Sequence, residues 1–341
     1  MSDKNFKKAI IVGLGGMGIR HFKALTKLKI KIVAICDKDN SKFKKYNIPK
    51  NIKIVQNYKK LLGMNVDLVC IASNTSSRFQ ITKDFLIKSK IKRILTEKPL
   101  ATSFLECKKL SSLVKKYKKK RVYINTFRTI SKNYIKIKQL FKKNRETVTQ
   151  VFINSPSAGL GNMGSIFFDI GNFFLDDKVI SVNAWIDKTG TINPRGKMFK
   201  DPGGYGVVRY KNDKKLFFDL SENTALPYEI ILKTQNFECK IDELNNEYII
   251  KKRPKKLMLK PNYYYLFKPH KYKLSLSHRY DVVLMTTFSI KKLFEKEFQS
   301  NIAESLKAME IVFGCHYSDN LKKTILFPFN KKFFNKKVNF A

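Results

Sequence analysis

Short apolar runs recur through the first third of the chain, at Ala9–Val12, Ile32–Ile35, Ile52–Val55, Leu68–Ala72, Arg93–Thr96 and Val122–Asn125. Between them apolar residues return at helical spacing, at Ile19–Leu28, Ser77–Lys88 and Phe104–Tyr117. Buried strands alternating with amphipathic helices predict an α/β fold: a Rossmann-type, doubly wound parallel sheet covered on both faces. Ligands of such sheets bind at the carboxyl ends of the strands.

Beyond residue 126 the pattern changes. A helical segment at Tyr134–Phe141 leads to a strand at Val148–Asn154, and a glycine-rich passage, Ser157–Gly164, opens an apolar helical segment, Ile166–Leu175. Strand-like runs follow at Ser181–Ile186, Gly206–Tyr210, Leu216–Leu220, Glu229–Lys233 and Tyr248–Lys251. Turn signals between them predict a mostly antiparallel open sheet in a second α/β domain. Two long helices are expected at Tyr280–Phe298 and Ile302–Ser318, with a short closing strand at Thr324–Phe327. The expected limits are 1–126 for the first domain, 127–330 for the second, and 331–341 for a frayed or partner-docked basic tail.

The richest chemistry lies at the first strand. Ala9–Val12 runs into Gly13-Leu14-Gly15-Gly16-Met17-Gly18 and then a helix. In a Gly-x-Gly-x-x-Gly loop the first glycine permits the turn, the second lets the backbone approach a pyrophosphate, and the third lets helix pack on strand. The helix N-terminus then presents a positive dipole end to the phosphates. Asp37 ends the second strand, where a carboxylate binds the adenosine ribose hydroxyls and favours NAD. Lys38 and Lys42 stand close enough in sequence to soften repulsion of a 2′-phosphate, so NADP stays open.

Composition narrows the setting. The 69 Lys+Arg against 27 Asp+Glu give +42, and only ten of the 69 are Arg. This is read either as a polyanion partner or as a coding bias toward lysine. Nucleic-acid readers favour arginine for bidentate base contacts, which argues against specific nucleic-acid recognition. The basic, aromatic tract Lys251–Tyr280 is read either as a surface for bases or acidic headgroups, or as a sheet edge with an ordered loop. Five scattered cysteines suggest neither a zinc site nor a disulfide framework, and no metal is expected. No run reaches the ~20 apolar residues of a membrane span. With little chain before the first strand for a leader, a cytoplasmic protein is expected.

Three further motifs narrow the fold to a family. Val66-Asp67-Leu68-Val69-Cys70-Ile71-Ala72-Ser73-Asn74, Leu95-Thr96-Glu97-Lys98-Pro99-Leu100, and Ser300-Asn301-Ile302-Ala303-Glu304-Ser305-Leu306 with Glu310-Ile311-Val312 fall in order across the chain. With the glycine loop, they resemble the glucose–fructose oxidoreductase and inositol dehydrogenase family (Gfo/Idh/MocA). The resemblance implies NAD or NADP, a sugar, cyclitol or nucleotide sugar as substrate, and pairing through the outer face of the second sheet into a homodimer or homotetramer. By analogy it also suggests a place in surface-polysaccharide synthesis. Gly13 to Gly18, Asp37, Lys38, Ala72, Ser73, Asn74, Glu97 and Lys98 then make the dinucleotide site.

Lys98 is the candidate catalytic residue. It follows a strand's carboxyl end, Pro99 holds it extended, and an ammonium there stabilises developing alkoxide charge. Glu97 is read as orienting Lys98, contacting cofactor, or serving structurally. Asn125, Arg128, Asn162, Asp169 and Tyr280 are the candidate substrate residues; Arg128 suits a carboxylate or phosphate, or equally an interdomain ion pair.

One element departs from the family. Its Asp-x-Gly-x-His-x-x-Asp stretch aligns with Asn162-Met163-Gly164-Ser165-Ile166-Phe167-Phe168-Asp169, which puts Ile166 at the histidine. A second register, from Asp169, puts Phe173 there. Neither can take a proton, and a missing positioned base costs about 10²–10⁴-fold. Of the four histidines, His21, His270, His278 and His316, the candidate substitute is His278. Three explanations stay open: Lys98 acts as base, the substrate supplies its own ionisable group or the bond-making step differs, or the cofactor site persists without turnover.

Overall fold

A computed structural model describes residues 7–156, 159–188, 199–222 and 225–340. In chain order its elements are β1 (Lys8–Val12), α1 (Gly16–Lys27), β2 (Lys31–Cys36), α2 (Ser41–Lys45), β3 (Lys53–Val55), β4 (Leu68–Ile71), α3 (Thr75–Lys88), β5 (Arg93–Thr96), α4 (Phe104–Lys116) and β6 (Arg121–Ile124). There follow α5 (Lys132–Lys143), β7 (Gln150–Asn154), α6 (Ser165–Leu175), β8 (Val179–Ile186), β9 (Gly204–Tyr210), β10 (Lys215–Asp219) and β11 (Glu229–Lys233). The last are β12 (Phe237–Asp242), β13 (Glu247–Lys252), β14 (His270–Lys273), α7 (Val282–Lys292), α8 (Ile302–Leu321) and β15 (Ile325–Leu326).

The chain divides into two units: Met1–Phe127 with Asp281–Met309 and Phe334–Ala341, and Arg128–Tyr280 with Glu310–Phe333. These limits differ from 1–126, 127–330 and 331–341. Apolar burial, not chain order, sets them: α7 packs on α1, and Phe334 sits edge-on to Phe104 of α4 at 5.2 Å. Residues 334–340 are not a frayed tail, since Phe340 is 1% exposed and Val338 N–H donates to the Thr102 carbonyl.

Among the described residues of the first unit six strands run in the order β3-β2-β1-β4-β5-β6, all parallel. The order reverses beside β1, which makes the crevice at its carboxyl end the topological switch point. Strands β1 and β4 are almost wholly apolar and buried because both sheet faces are covered.

Among the described residues of the second unit nine strands run β14-β13-β12-β11-β7-β10-β9-β8-β15, and every neighbouring pair is antiparallel except β7 with β10. Alternate residues, among them Val151, Ile153, Leu216, Phe218, Ile230 and Leu232, are buried on one face. Helices α5 and α6 cover that face, through Phe141 against Phe237 and Phe168 against Phe218.

Three elements escaped the sequence pattern: α2, β12 and β14. All four residues of β14 are exposed, so no alternation marks it; its backbone bonding to β13 makes it a strand. Helix α7 is shorter than the expected Tyr280–Phe298. Asp281 caps its start by accepting from Leu284 N–H, and Arg93 and Arg121 take up the carbonyl of Leu293 just past its end. Ser157, in the glycine-rich passage, lies outside the described residues; Gly159–Gly164 forms a wide π-type turn leading into α6.

Candidate functional site: the dinucleotide crevice and a buried cluster

Strand register assembles the candidate residues of the first unit. Val12 pairs with Cys36 and Ile71, Ile71 with Thr96, and Thr96 with Ile124. The next residue of each strand is Gly13, Asp37, Ala72, Glu97 and Asn125. Backbone bonds extend the row: Gly13 N–H donates to Cys36, Ala72 to Val12, Glu97 to Ile71 and Asn125 to Thr96. The row is the floor of the crevice.

The glycine loop has two kinds of glycine. Gly13 has φ +97°, and a Cβ on Gly18 would stand 2.0 Å from the Gly13 carbonyl oxygen. These two are required by the turn and by helix–strand contact. A Cβ on Gly15 or Gly16 would meet nothing within 4 Å. That open space over the N-terminus of α1 is a cradle of the kind a pyrophosphate fills. The first turn of α1 carries no acidic side chain of its own to compete with phosphates for its positive end. The chain therefore fits an adenine dinucleotide here.

Asp37 is nearly buried and faces the loop. Its Oδ2 accepts from Leu14 N–H at 2.6 Å, and Lys42 Nζ lies 3.1 Å from both carboxylate oxygens. The carboxylate thus ties the loop to β2 and already carries a cation. Lys38 is exposed beside it.

Two buried side chains that spacing did not single out hold the rest. Arg78 of α3 donates to the carbonyls of Ser73 (2.5 Å) and Pro99, which joins the Ala72–Asn74 loop to the segment after Lys98. His21 of α1, fully buried, places Nε2 2.7 Å from Glu97 Oε1, and Asn125 Nδ2 donates to the same oxygen at 2.7 Å. Burial pushes the Glu97 carboxyl up. The His21 bond and field, the Asn125 bond and the Lys98 ammonium outweigh it and hold the group below the usual carboxylate range. An ionised Glu97 only accepts, so the imidazole carries its proton on Nε2. Glu97 is thus a structural carboxylate linking α1, β5 and β6, with Lys98, half-buried, next along the chain. No spacing rule links positions 21 and 97; only the helix returning over the sheet brings them together.

In the second unit Arg128 and Tyr280 come together. Arg128 is 3% exposed; its Nε donates to Glu243 Oε2 at 2.8 Å and its Nη2 to the hydroxyls of Tyr280 (2.8 Å) and Tyr228 (3.1 Å). Burial disfavours the charged guanidinium, but Glu243 and the ring of tyrosines raise its pKa well above the ordinary value. The arginine is part of an ion pair within its own unit, which answers the expected interdomain pair. Asn162 sits in the π-type turn, where Asp201 accepts from the N–H groups of Gly161 and Asn162 at 2.7 and 2.9 Å. Asp169 is buried on α6. Of the two residues that the sequence registers align with the histidine, Ile166 is buried and Phe173 is half-buried. His278 is half-buried in the segment before α7, where its carbonyl accepts from Asn133.

Residues 7–126 match the model of an oxidoreductase family with an NAD-binding Rossmann fold, Gfo/Idh/MocA. The chain is similar to inositol 2-dehydrogenase of Salmonella typhimurium (strain LT2), 28% identical over 140 residues, or 39% of this chain. That match spans 40% of the relative's length. Among solved structures, a levoglucosan dehydrogenase in complex with NADH superposes with TM-score 0.77 at 12% identity, covering 96% of this chain and 100% of that one. A UDP-N-acetylglucosamine 3-dehydrogenase from Acidithiobacillus ferrooxidans gives 0.72 at 13%, over 92% and 97%. At these identities the likeness is one of fold, and it extends over both units.

Proposed function

We propose that the chain is an NAD(P)-dependent oxidoreductase acting on a hydroxyl or keto group of a sugar, cyclitol or nucleotide sugar. The carrying observation is the single row at the carboxyl ends of the parallel strands, where the open glycine cradle, Asp37 and the Glu97-Lys98 step stand side by side. A bound nicotinamide supplies or accepts the hydride. The cradle backbone and the end of α1 bind the phosphates, and Asp37 binds the ribose diol, which favours NAD. Lys42 on the same carboxylate keeps NADP open. Lys98 donates to the reacting oxygen and stabilises its developing charge. Asn125, Arg128, Asn162, Asp169 and Tyr280 are the proposed substrate residues. Arg128 and Asn125 serve by holding neighbours, because both are nearly inaccessible and bonded inward.

A second reading, a dinucleotide-binding protein without dehydrogenase turnover, is supported by the two sequence registers, which align buried Ile166 or Phe173 with the family's proton acceptor. Fluorescence titration with NADH and NADPH tests the shared part; no saturable binding overturns both readings. Sugars and nucleotide sugars followed at the nicotinamide absorbance, with Lys98→Ala as control, separate them. Turnover lost in the variant with cofactor affinity kept supports the enzyme.

Self-association through the outer sheet face is proposed with this reading. That face carries Phe152 stacked on Phe217 at 4.9 Å and Trp185 on Tyr205 at 5.3 Å, the latter two about half exposed. Sedimentation of a Phe152→Lys/Phe217→Lys variant as a smaller species than the wild type supports it; an unchanged species overturns it.

A further inference from the structure

The second sheet ends in an unusual edge. From Tyr248 to Tyr280 the chain has eight lysines, two arginines and no acidic residue. Within this stretch Arg253 is 5% exposed, and its guanidinium donates to three backbone carbonyls, Lys260 (3.2 Å), Pro261 (2.9 Å) and Tyr264 (2.9 Å). A buried cation thus shapes the loop between β13 and β14. What the loop displays is apolar: Leu259 is 99% exposed, Leu266 90%, and Tyr263 and Tyr265 70% each. Folded chains rarely leave so dense an apolar cluster in water unless it has a partner. Lysines are interspersed with it along the chain. Lys251 and Lys273 are paired with Glu238 and Glu247, while Lys255, Lys256, Lys260, Lys268 and Lys271 are exposed and form no ion pair among the described residues.

We propose that the 255–273 segment is an interfacial docking loop for an anionic lipid bilayer. Charge complementarity selects an anionic partner. The apolar residues select the bilayer over a nucleic acid: bases stack on rings and pair with arginine, but they offer nothing to two exposed leucines, and the one arginine of the loop is buried. Leucines entering the acyl boundary, tyrosines at the headgroup level and lysines on the phosphates are the composition of an interfacial anchor. No described helix is long and apolar enough to cross a membrane, so attachment is to the surface.

The test uses the full chain and vesicle flotation. Because the whole protein is basic, the decisive variant is charge-neutral: Leu259→Ser/Leu266→Ser. It is expected to lower partitioning onto phosphatidylcholine–phosphatidylglycerol vesicles by at least about tenfold, with dinucleotide affinity unchanged. Lys255→Glu/Lys256→Glu is expected to lower it comparably, and pure phosphatidylcholine vesicles to bind far less. Leu266→Trp is expected to give a blue shift and quenching by brominated acyl chains beyond that of Trp185 alone. Three results overturn the proposal. The leucine variant floats like the wild type, leaving bulk charge only. A single-stranded oligonucleotide binds in a way that depends on Tyr263 and Tyr265 but not on the leucines. Or the leucine variant breaks up an oligomer, which makes the patch a contact between copies of this chain.

Discussion

Replacing His21 by leucine removes one of the two hydrogen bonds to the buried Glu97 carboxylate while roughly keeping the volume. Glu97 is 2% exposed, and both bonds, at 2.7 Å, fall on the same oxygen. A hydrogen bond to a charged group is worth about 1.5–3 kcal/mol, and a buried charge stripped of its partner costs up to about 3–5 kcal/mol. The extra apolar burial of leucine returns about 1 kcal/mol. The expected net loss is therefore about 2–4 kcal/mol. Glu97→Leu in the His21→Leu background removes the stranded charge, so the double variant should be more stable than the sum of the singles by about 2 kcal/mol. Urea titrations read on the transition that abolishes NADH binding measure this, since a chain of two units need not unfold in one step. Acid gives a second reading. The folded Glu97 carboxyl titrates below its unfolded value of about 4.3, so its contribution is present above that pH and is lost as pH falls through the folded value. In His21→Leu that loss should move to higher pH. A cost below about 0.5 kcal/mol, no coupling in the cycle and an unmoved acid transition would falsify the assignment of Glu97 as the link between α1 and the Lys98 segment.

The two kinds of loop glycine should part company: Gly18→Ala is expected to disrupt the loop, because its Cβ meets backbone, whereas Gly15→Ala should melt like wild type yet bind NADH at least about tenfold more weakly. Asp37→Ser should shift the NADH to NADPH affinity ratio toward NADPH, with a loss for both because Leu14 N–H loses its acceptor; a ratio that stays put removes the ribose role. Arg128→Met strands Glu243 and should cost about 3–5 kcal/mol in thermal or urea unfolding, with Arg128→Met/Glu243→Met recovering most of it; failure of the second change to rescue would show that the tyrosine contacts matter more.

The dinucleotide fold was legible from residues 9 to 126 alone. Its strands are buried on both faces and read as plain apolar runs, its helices keep their period, and backbone geometry ties the glycine spacing to one turn. The carboxyl ends of these strands were legible to within a residue or two, but that Gly13, Asp37, Ala72, Glu97 and Asn125 stand in one row came from the strand register. What sequence could not supply were the partners. His21 reaches Glu97, Arg78 reaches Ser73 and Pro99, and Glu243 reaches Arg128 only because helices and strands return across the sheets. A side chain's periodicity tells which face it takes, but its charge partner is chosen by three-dimensional packing, where burial makes an unpaired group costly. For the same reason β14, solvent-exposed throughout, left no trace in the pattern, and α7 and residues 334–340 joined a unit far from their place in the chain. Local pattern determined the elements and the cradle; tertiary burial decided which charges meet.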